Sequence, residues 1–217
     1  MPERVITNED CMDLMARYDD NHFELAIVDP PYFSDVAKKT FPGSQITKYG
    51  VKRNRYESIH WEVPDENYFT ELFRVSQEQI IWGCNYYSEL IPHVSRIIWD
   101  KQNDTSTFSH AEIASKSMNI GVDIFRYQWN GFIQADMKHK ESRIHPTQKP
   151  VALYKWLLQN YGKEGDNILD THMGSGSIAI ACHYMGFDIT ACELDTDYYN
   201  TAIQRIENET RQLEFSL

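Results

Sequence analysis

Short apolar runs cut off by breakers recur along the 217 residues, with helical spacings between them. Residues 25–28 (Leu-Ala-Ile-Val) run into Asp29-Pro30-Pro31-Tyr32. A run of this kind predicts a parallel strand covered on both faces. Two prolines without amide hydrogens end its ladder in a rigid extended corner. Arg4–Thr7, residues 79–82, 96–99 and 123–129, Asn167–Asp170 and Asp188–Cys192 predict further strands. Helical spacing marks residues 11–18 with Asp10 as a cap, a segment from Pro64 through Phe73, a short piece at 85–91, and a run from Pro150 to Tyr161. It continues in 178–185 and in a last helix opening near Thr196. Alternating strands and helices predict a layered α/β sheet. Ligands of open α/β sheets bind at the carboxyl ends of the strands, which is where Asp29-Pro30-Pro31-Tyr32 falls.

Length and a 41% hydrophobic content are those of one domain spanning 1–217 with a sizeable core. Residues 33–60 show no sustained period and are long for a connection, which marks a flexible, functional loop. No apolar run approaches the ~20 residues of a membrane span and no signal peptide precedes the first strand, so a cytoplasmic enzyme is expected. Four cysteines without a CxxC pair and eight histidines without HExxH spacing give no reason to expect a metal. A net charge of −11 argues against a simple nucleic-acid binder. Cations nevertheless gather at Lys38, Lys39, Lys48, Lys52, Arg53 and Arg55, and again at Lys138, His139, Lys140, Arg143 and Lys149. Both runs flank candidate chemistry, which favours an anionic partner.

Asp29 brings acceptor oxygens, Pro30 a carbonyl without a neighbouring amide donor, and Tyr32 a flat ring. Together they suit a planar base carrying an exocyclic amino group. A second constellation is Asp170-Thr171-His172-Met173-Gly174-Ser175-Gly176-Ser177, a strand end, a glycine turn and a helix start. It lacks the full GxGxxG and a Walker lysine, so phosphate cradling is not its best reading. Glu193 ends the next strand, where an acid grips ribose hydroxyls. Carboxylates at such a turn suit a cationic ligand with an amino group, of which S-adenosylmethionine is one.

These residues together resemble the DNA amino-methyltransferases, in the permuted group whose catalytic motif precedes the cofactor motif. Asp29-Pro30-Pro31-Tyr32 matches the catalytic tetrapeptide, and His145-Pro146-Thr147-Gln148-Lys149-Pro150 a hexapeptide of that group. Asp170 through Ser177 matches the cofactor loop, with Thr171-His172 where the family commonly has Pro-Phe. The resemblance implies a class I, Rossmann-like methyltransferase fold, circularly permuted, with a mostly parallel seven-stranded sheet and helices on both faces. Arg4–Thr7 would be its third strand, residues 25–28 its fourth, Asn167–Asp170 its first and Asp188–Cys192 its second. It also implies S-adenosylmethionine as cofactor, held by Asp10, Asp29, His145, Thr147, Gln148, Lys149, Asp170, Met173, Gly174, Ser175, Gly176, Ser177, Glu193 and Leu194. Thr147, Gln148 and Lys149 would lie at its methionine end. The substrate implied is a base flipped out of double-stranded DNA, with Tyr32 stacking on it while Asp29 and the Pro30 carbonyl accept from its amino group. The six cations of 33–60 would then contact DNA. Asp in the first position favours adenine N6 by association. Cytosine N4, RNA or glutamine methylation, and a catalytically silent cofactor-binding subunit are the alternatives, and homodimerisation is a hypothesis from the resemblance and the small size.

Overall fold

The computed structural model describes residues 2–32, 62–104, 109–129 and 133–211. In chain order these form β1 (Arg4–Thr7), α1 (Cys11–Met15), β2 (Phe23–Val28), α2 (Glu66–Val75), β3 (Ser76–Trp82), β4 (Ser95–Asp100), β5 (Ala111–Lys116) and β6 (Val122–Arg126). Then come α3 (Val151–Tyr161), β7 (Asn167–Asp170), α4 (Ser177–Met185), β8 (Asp188–Cys192) and α5 (Thr196–Arg211). The loop at 33–60, with Lys38, Lys39, Lys48, Lys52, Arg53 and Arg55, lies outside the described residues.

The strands form one sheet in the order β1-β8-β7-β2-β3-β5-β4-β6. Among the described residues only β5 is antiparallel to its neighbours β3 and β4. The expected seven strands are therefore eight among the described residues. The addition is β5, whose Ala-Glu-Ile-Ala-Ser-Lys is poor in strand-forming side chains and is held by pairing on both edges. The helix expected at 85–91 is instead a single 3₁₀ turn at Cys84–Tyr86 entered through Gly83 in the left-handed region. The permuted assignment agrees with the sheet, because β1, β8, β7 and β2 lie side by side as third, second, first and fourth strands. After β7 the chain moves to β8, and after β2 it moves to β3 on the other side. The β7–β2 boundary is thus the topological switch point, where doubly wound sheets open a crevice for ligands.

The core explains why residues 25–28 read as an unbroken apolar run. Leu25 and Ile27 pack into a layer with Leu153 and Leu157 of α3, Ile178 and Ile180 of α4 and Ile206 of α5. Ala26 and Val28 face the other way, onto Leu14 and Met15 of α1 and Phe69 and Leu72 of α2. Asp10 caps α1, accepting from the Met12 amide at 2.7 Å, and Asp65 and Asp195 cap α2 and α5 in the same way. No helix among the described residues is long and apolar enough to cross a membrane. Among them no group of three or more His, Cys, Asp or Glu is placed to hold a metal.

Leu157 is fully buried in the α3–α4 layer. We expect Leu157→Ala to lower the unfolding free energy by about 2–5 kcal/mol, read from a denaturant melt, with no change in the far-UV spectrum at low denaturant.

Candidate active site

Five chain segments leave the carboxyl edge of the sheet around the switch point: Asp10 after β1, Asp29 after β2, Gly83 after β3, Asp170 at the end of β7 and Glu193 after β8. The proline corner is gripped from the turn after β3. The Tyr87 hydroxyl donates to the Pro31 carbonyl. The Tyr86 ring, half exposed, stacks on Tyr32 with centroids 4.6 Å apart and planes 5° from parallel. Gly83 has φ +68°, and a Cβ there would lie 2.5 Å from Cδ1 of Tyr32. Gly83 is therefore needed twice over, for its backbone and for the room it leaves to the ring.

Behind the corner sits a buried charge network. The Lys149 ammonium donates to Oδ2 of Asp29 and lies 3.0 Å from Oε2 of Glu112 on β5. Lys101, just after β4, donates to the other oxygen of Glu112. Lys149 is 3% exposed, and its charge also lies 5.4 Å from the Trp82 ring. Burial alone would favour the neutral amine, but Asp29 and Glu112 outweigh it and hold Lys149 charged. Burial raises the Asp29 carboxyl, with Lys149 pulling against it and Glu112 adding to it. Burial would raise Glu112 too, yet Lys149 and Lys101 hold it below the ordinary range. The second oxygen of Asp29, Oδ1, is buried and has no hydrogen-bond partner among the described residues. An orphaned buried acceptor is costly and calls for an explanation.

The glycine turn divides its labour. Gly174 (φ +55°) donates its amide to Oε2 of Glu193 at 2.8 Å. A Cβ on Gly176 (φ +73°) would sit 2.7 Å from Cδ1 of Ile206, so this glycine admits α5 rather than a ligand. Ser175 and Ser177 are turned to the same side. Arg205 of α5 donates to the Ser175 carbonyl at 2.8 Å and to Oγ of Ser177 at 2.9 Å, and pairs with Glu141 at 2.7 Å. Met173 is buried, its amide donating to the Cys192 carbonyl at 3.0 Å. Asp170 accepts from the His172 amide at 3.0 Å. Its carboxyl is pushed up to about 7, by burial first and then by the Asp29 and Glu193 charges. His172 is kept neutral by burial, near 4. Thr171 accepts from or donates to the Tyr68 hydroxyl at 2.7 Å, so the Thr171-His172 departure is tied into α2. Leu194, 66% exposed, stands at the same edge.

Within the hexapeptide, His145 is buried with its ring against Gly174 and edge-on to Tyr198. Burial lowers it to about 4, helped by the Lys149 charge. Thr147 hydrogen-bonds His145 Nδ1 at 3.1 Å. The Gln148 side chain is spent on the backbone, accepting from Ile144 at 2.9 Å and donating to Ser142 at 3.2 Å. The structure thus gathers the tetrapeptide, hexapeptide and glycine turn at one edge. Lys149, expected beside a cofactor, points its ammonium at two carboxylates, which also removes it from the second basic run. Glu112, Lys101, Gly83, Tyr86, Tyr87 and Arg205 were not anticipated. Their partners are distant in sequence, and only the Gly-x-x-Tyr-Tyr stretch after a strand offered a local signal.

The model of the DNA methylase family (N6_N4_Mtase) matches residues 36–204. The chain belongs to that family. The match begins just beyond Tyr32, so the proline corner precedes it. The chain is 24% identical over 247 residues to the Type II methyltransferase M2.MboI of Moraxella bovis, covering 93% of this chain and 89% of that one. It is 28% identical over 128 residues to the Type II methyltransferase M2.DpnII of Streptococcus pneumoniae, covering 58% of this chain. It spans less than half, 46%, of that relative's length. Among solved structures, the complex of M1.HpyAVI with S-adenosylmethionine superposes with a TM-score of 0.61 at 17% identity, over 93% of this chain and 99% of that one. The cytosine-N4-specific PvuII DNA methyltransferase gives 0.59 at 9% identity, over 98% and 93%. The fold is therefore the class I methyltransferase fold.

Gly83→Ala combines a left-handed backbone with a clash against Tyr32. We expect it to cost about 1–3 kcal/mol and to break the Tyr32–Tyr86 stack, visible as a change in near-UV circular dichroism with the far-UV signal unchanged.

Proposed function

We propose that this chain is an S-adenosylmethionine-dependent DNA methyltransferase acting on N6 of an adenine flipped out of the duplex. The observation that carries the reading is Oδ1 of Asp29, a buried acceptor with no partner among the described residues, at the carboxyl edge three residues before Tyr32. A base amino group presents the missing donor. Accepting from it draws the nitrogen lone pair out of ring conjugation and aims it. Tyr32 supplies the stacking face, at a typical ~1–3 kcal/mol per base. In the duplex that amino group is paired and stacked, so the base must leave the helix to reach this corner. Preorganisation then does most of the work, because Lys149 and the turn after β3 have already fixed the acceptor and the ring.

The residues at the edge fit the cofactor. Asp170 and Glu193 are carboxylates raised by burial, which suits a ligand with an ammonium and ribose hydroxyls. Exposed Leu194 suits an adenine face, at the strand edge where Gly174 and Asp10 also stand. When bound, S-adenosylmethionine supplies an electrophilic methyl group. Adenine is preferred to cytosine because the tetrapeptide opens with Asp, by resemblance to family members that modify adenine. The likeness in fold to a cytosine-N4-specific enzyme keeps cytosine N4 as the second reading. The cations of 33–60 follow directly on Tyr32 in the chain and are proposed to meet DNA phosphates.

With methyl-labelled cofactor and mixed-sequence duplex, label should appear on N6-methyladenine. Asp29→Ala should reduce it by about 10²-fold or more. Label on N4-methylcytosine would overturn the base choice, and none in DNA would overturn the reading. Asp170 gives a second prediction. Its folded-state value lies above the ordinary ~4, so its charge costs the empty protein stability as pH rises from about 4 through about 7. Above pH 7, Asp170→Asn should therefore raise the melting temperature without ligand. Cofactor affinity of the wild type should rise between pH 6 and 8, and the variant should lose that rise.

A further inference from the structure

The buried cluster behind Asp29 holds more charge than pairing one aspartate requires. Four segments contribute to it: the end of β2 (Asp29), the loop after β4 (Lys101), β5 (Glu112) and the residue before Pro150 (Lys149). An ammonium has three N–H donors. Facing Asp29 alone, it would be free to sit between both carboxylate oxygens and close off each of them. Here one donor is drawn to Glu112 at 3.0 Å and another to Oδ2 of Asp29, while Oδ1 of Asp29 remains unpartnered among the described residues. Glu112 in turn is fixed by Lys101 through its other oxygen. Burying two ion pairs is no efficient way to gain stability, since packed apolar side chains serve as well or better.

We infer that Glu112 is a positioning residue: anchored by Lys101, it holds the Lys149 ammonium on one oxygen of Asp29 and keeps the other open for the amino group of the substrate. The inference rests on the methyltransferase reading for what the open oxygen receives, but the hold on Lys149 is a property of the protein itself. The groups facing Asp29 are Lys149, Glu112, Lys101 and Asp170, with the phenols of Tyr32, Tyr87 and Tyr154 around them. Among these, Glu112 is the one whose loss both removes a negative neighbour and hands the whole ammonium to Asp29. Each change stabilises the Asp29 carboxylate, so both move its titration to lower pH.

The test uses Glu112→Gln and, because that change alone leaves an excess buried cation, the charge-balanced Lys101→Met/Glu112→Gln with Lys101→Met as its reference. The side-chain carboxyl of Asp29 is titrated by ¹³C NMR in each protein without ligand, and kcat, the KM for DNA and cofactor affinity are measured beside it. We expect the Asp29 titration to fall by about half a pH unit or more in Glu112→Gln, and by less in the double variant, where the loss of the Lys101 charge acts the other way. We expect kcat to drop about tenfold or more while cofactor affinity stays within about twofold. An Asp29 titration unmoved in folded Glu112→Gln, or no lower in the double variant than in Lys101→Met, would overturn the inference, whatever happens to activity. A parallel fall of kcat, cofactor affinity and melting temperature would likewise mark Glu112 as merely structural. If the wild type methylates no DNA base, the parent reading fails, and the titration still decides whether Glu112 governs the ammonium.

Discussion

The arrangement turns on the buried ammonium of Lys149. Lys149 lies 120 residues from Asp29 in sequence and has almost no solvent contact, so its charge is tolerable only where carboxylates meet it. That requirement fixes the entry of α3 against the end of β2 and brings the hexapeptide to the proline corner. It also reaches across to the antiparallel strand, because Glu112 is on β5. β5 is otherwise held by pairing on both edges and by a second buried ammonium, Lys116, which meets Asp123 of β6.

The glycine turn is constrained from the opposite side. Gly176 leaves room for Ile206, and Arg205 holds the Ser175 carbonyl and Ser177 hydroxyl. The turn is thus shaped by α5 behind it, while Gly174, Glu193 and Asp170 face the crevice edge. Arg205 also pairs with Glu141, which accepts from the Val151 amide at 3.0 Å. The last helix, the turn and the start of α3 are consequently one unit. A rigid scaffold of this kind is what a site built on positioning needs.

Much of this was legible in the chain. The run at 25–28 and its proline stop announced a two-sided buried strand, and β2 is one. Asp10 read as a helix cap from its position alone. The order of the tetrapeptide and glycine turn gave the permuted sheet, because topology follows from which strand ends in which motif. What could not be read were contacts between distant residues. Nothing local to Glu112 says that it meets Lys149, and nothing in the Gly176 turn says that its missing Cβ belongs to Ile206. The helix expected at 85–91 failed for a similar reason. Gly83 turns the chain sharply to set Tyr86 on Tyr32 and Tyr87 under Pro31, and those tertiary contacts override a local helical spacing.

The charge of the edge carries one more consequence. Asp10, Asp29, Asp170 and Glu193 stand at neighbouring strand ends, and the nearby ammonium of Lys149 is already shared by Asp29 and Glu112. A crevice of that sign attracts a cationic small molecule and repels a polyanion, in keeping with the chain's net charge of −11. Under the proposed function, attraction for nucleic acid falls to other residues, and the densest group of cations is the stretch that begins six residues after Tyr32. On the same reading, a neutral base is the part of a nucleic acid that could enter a crevice of that sign, where it would meet the Tyr32 ring and the unpartnered oxygen of Asp29.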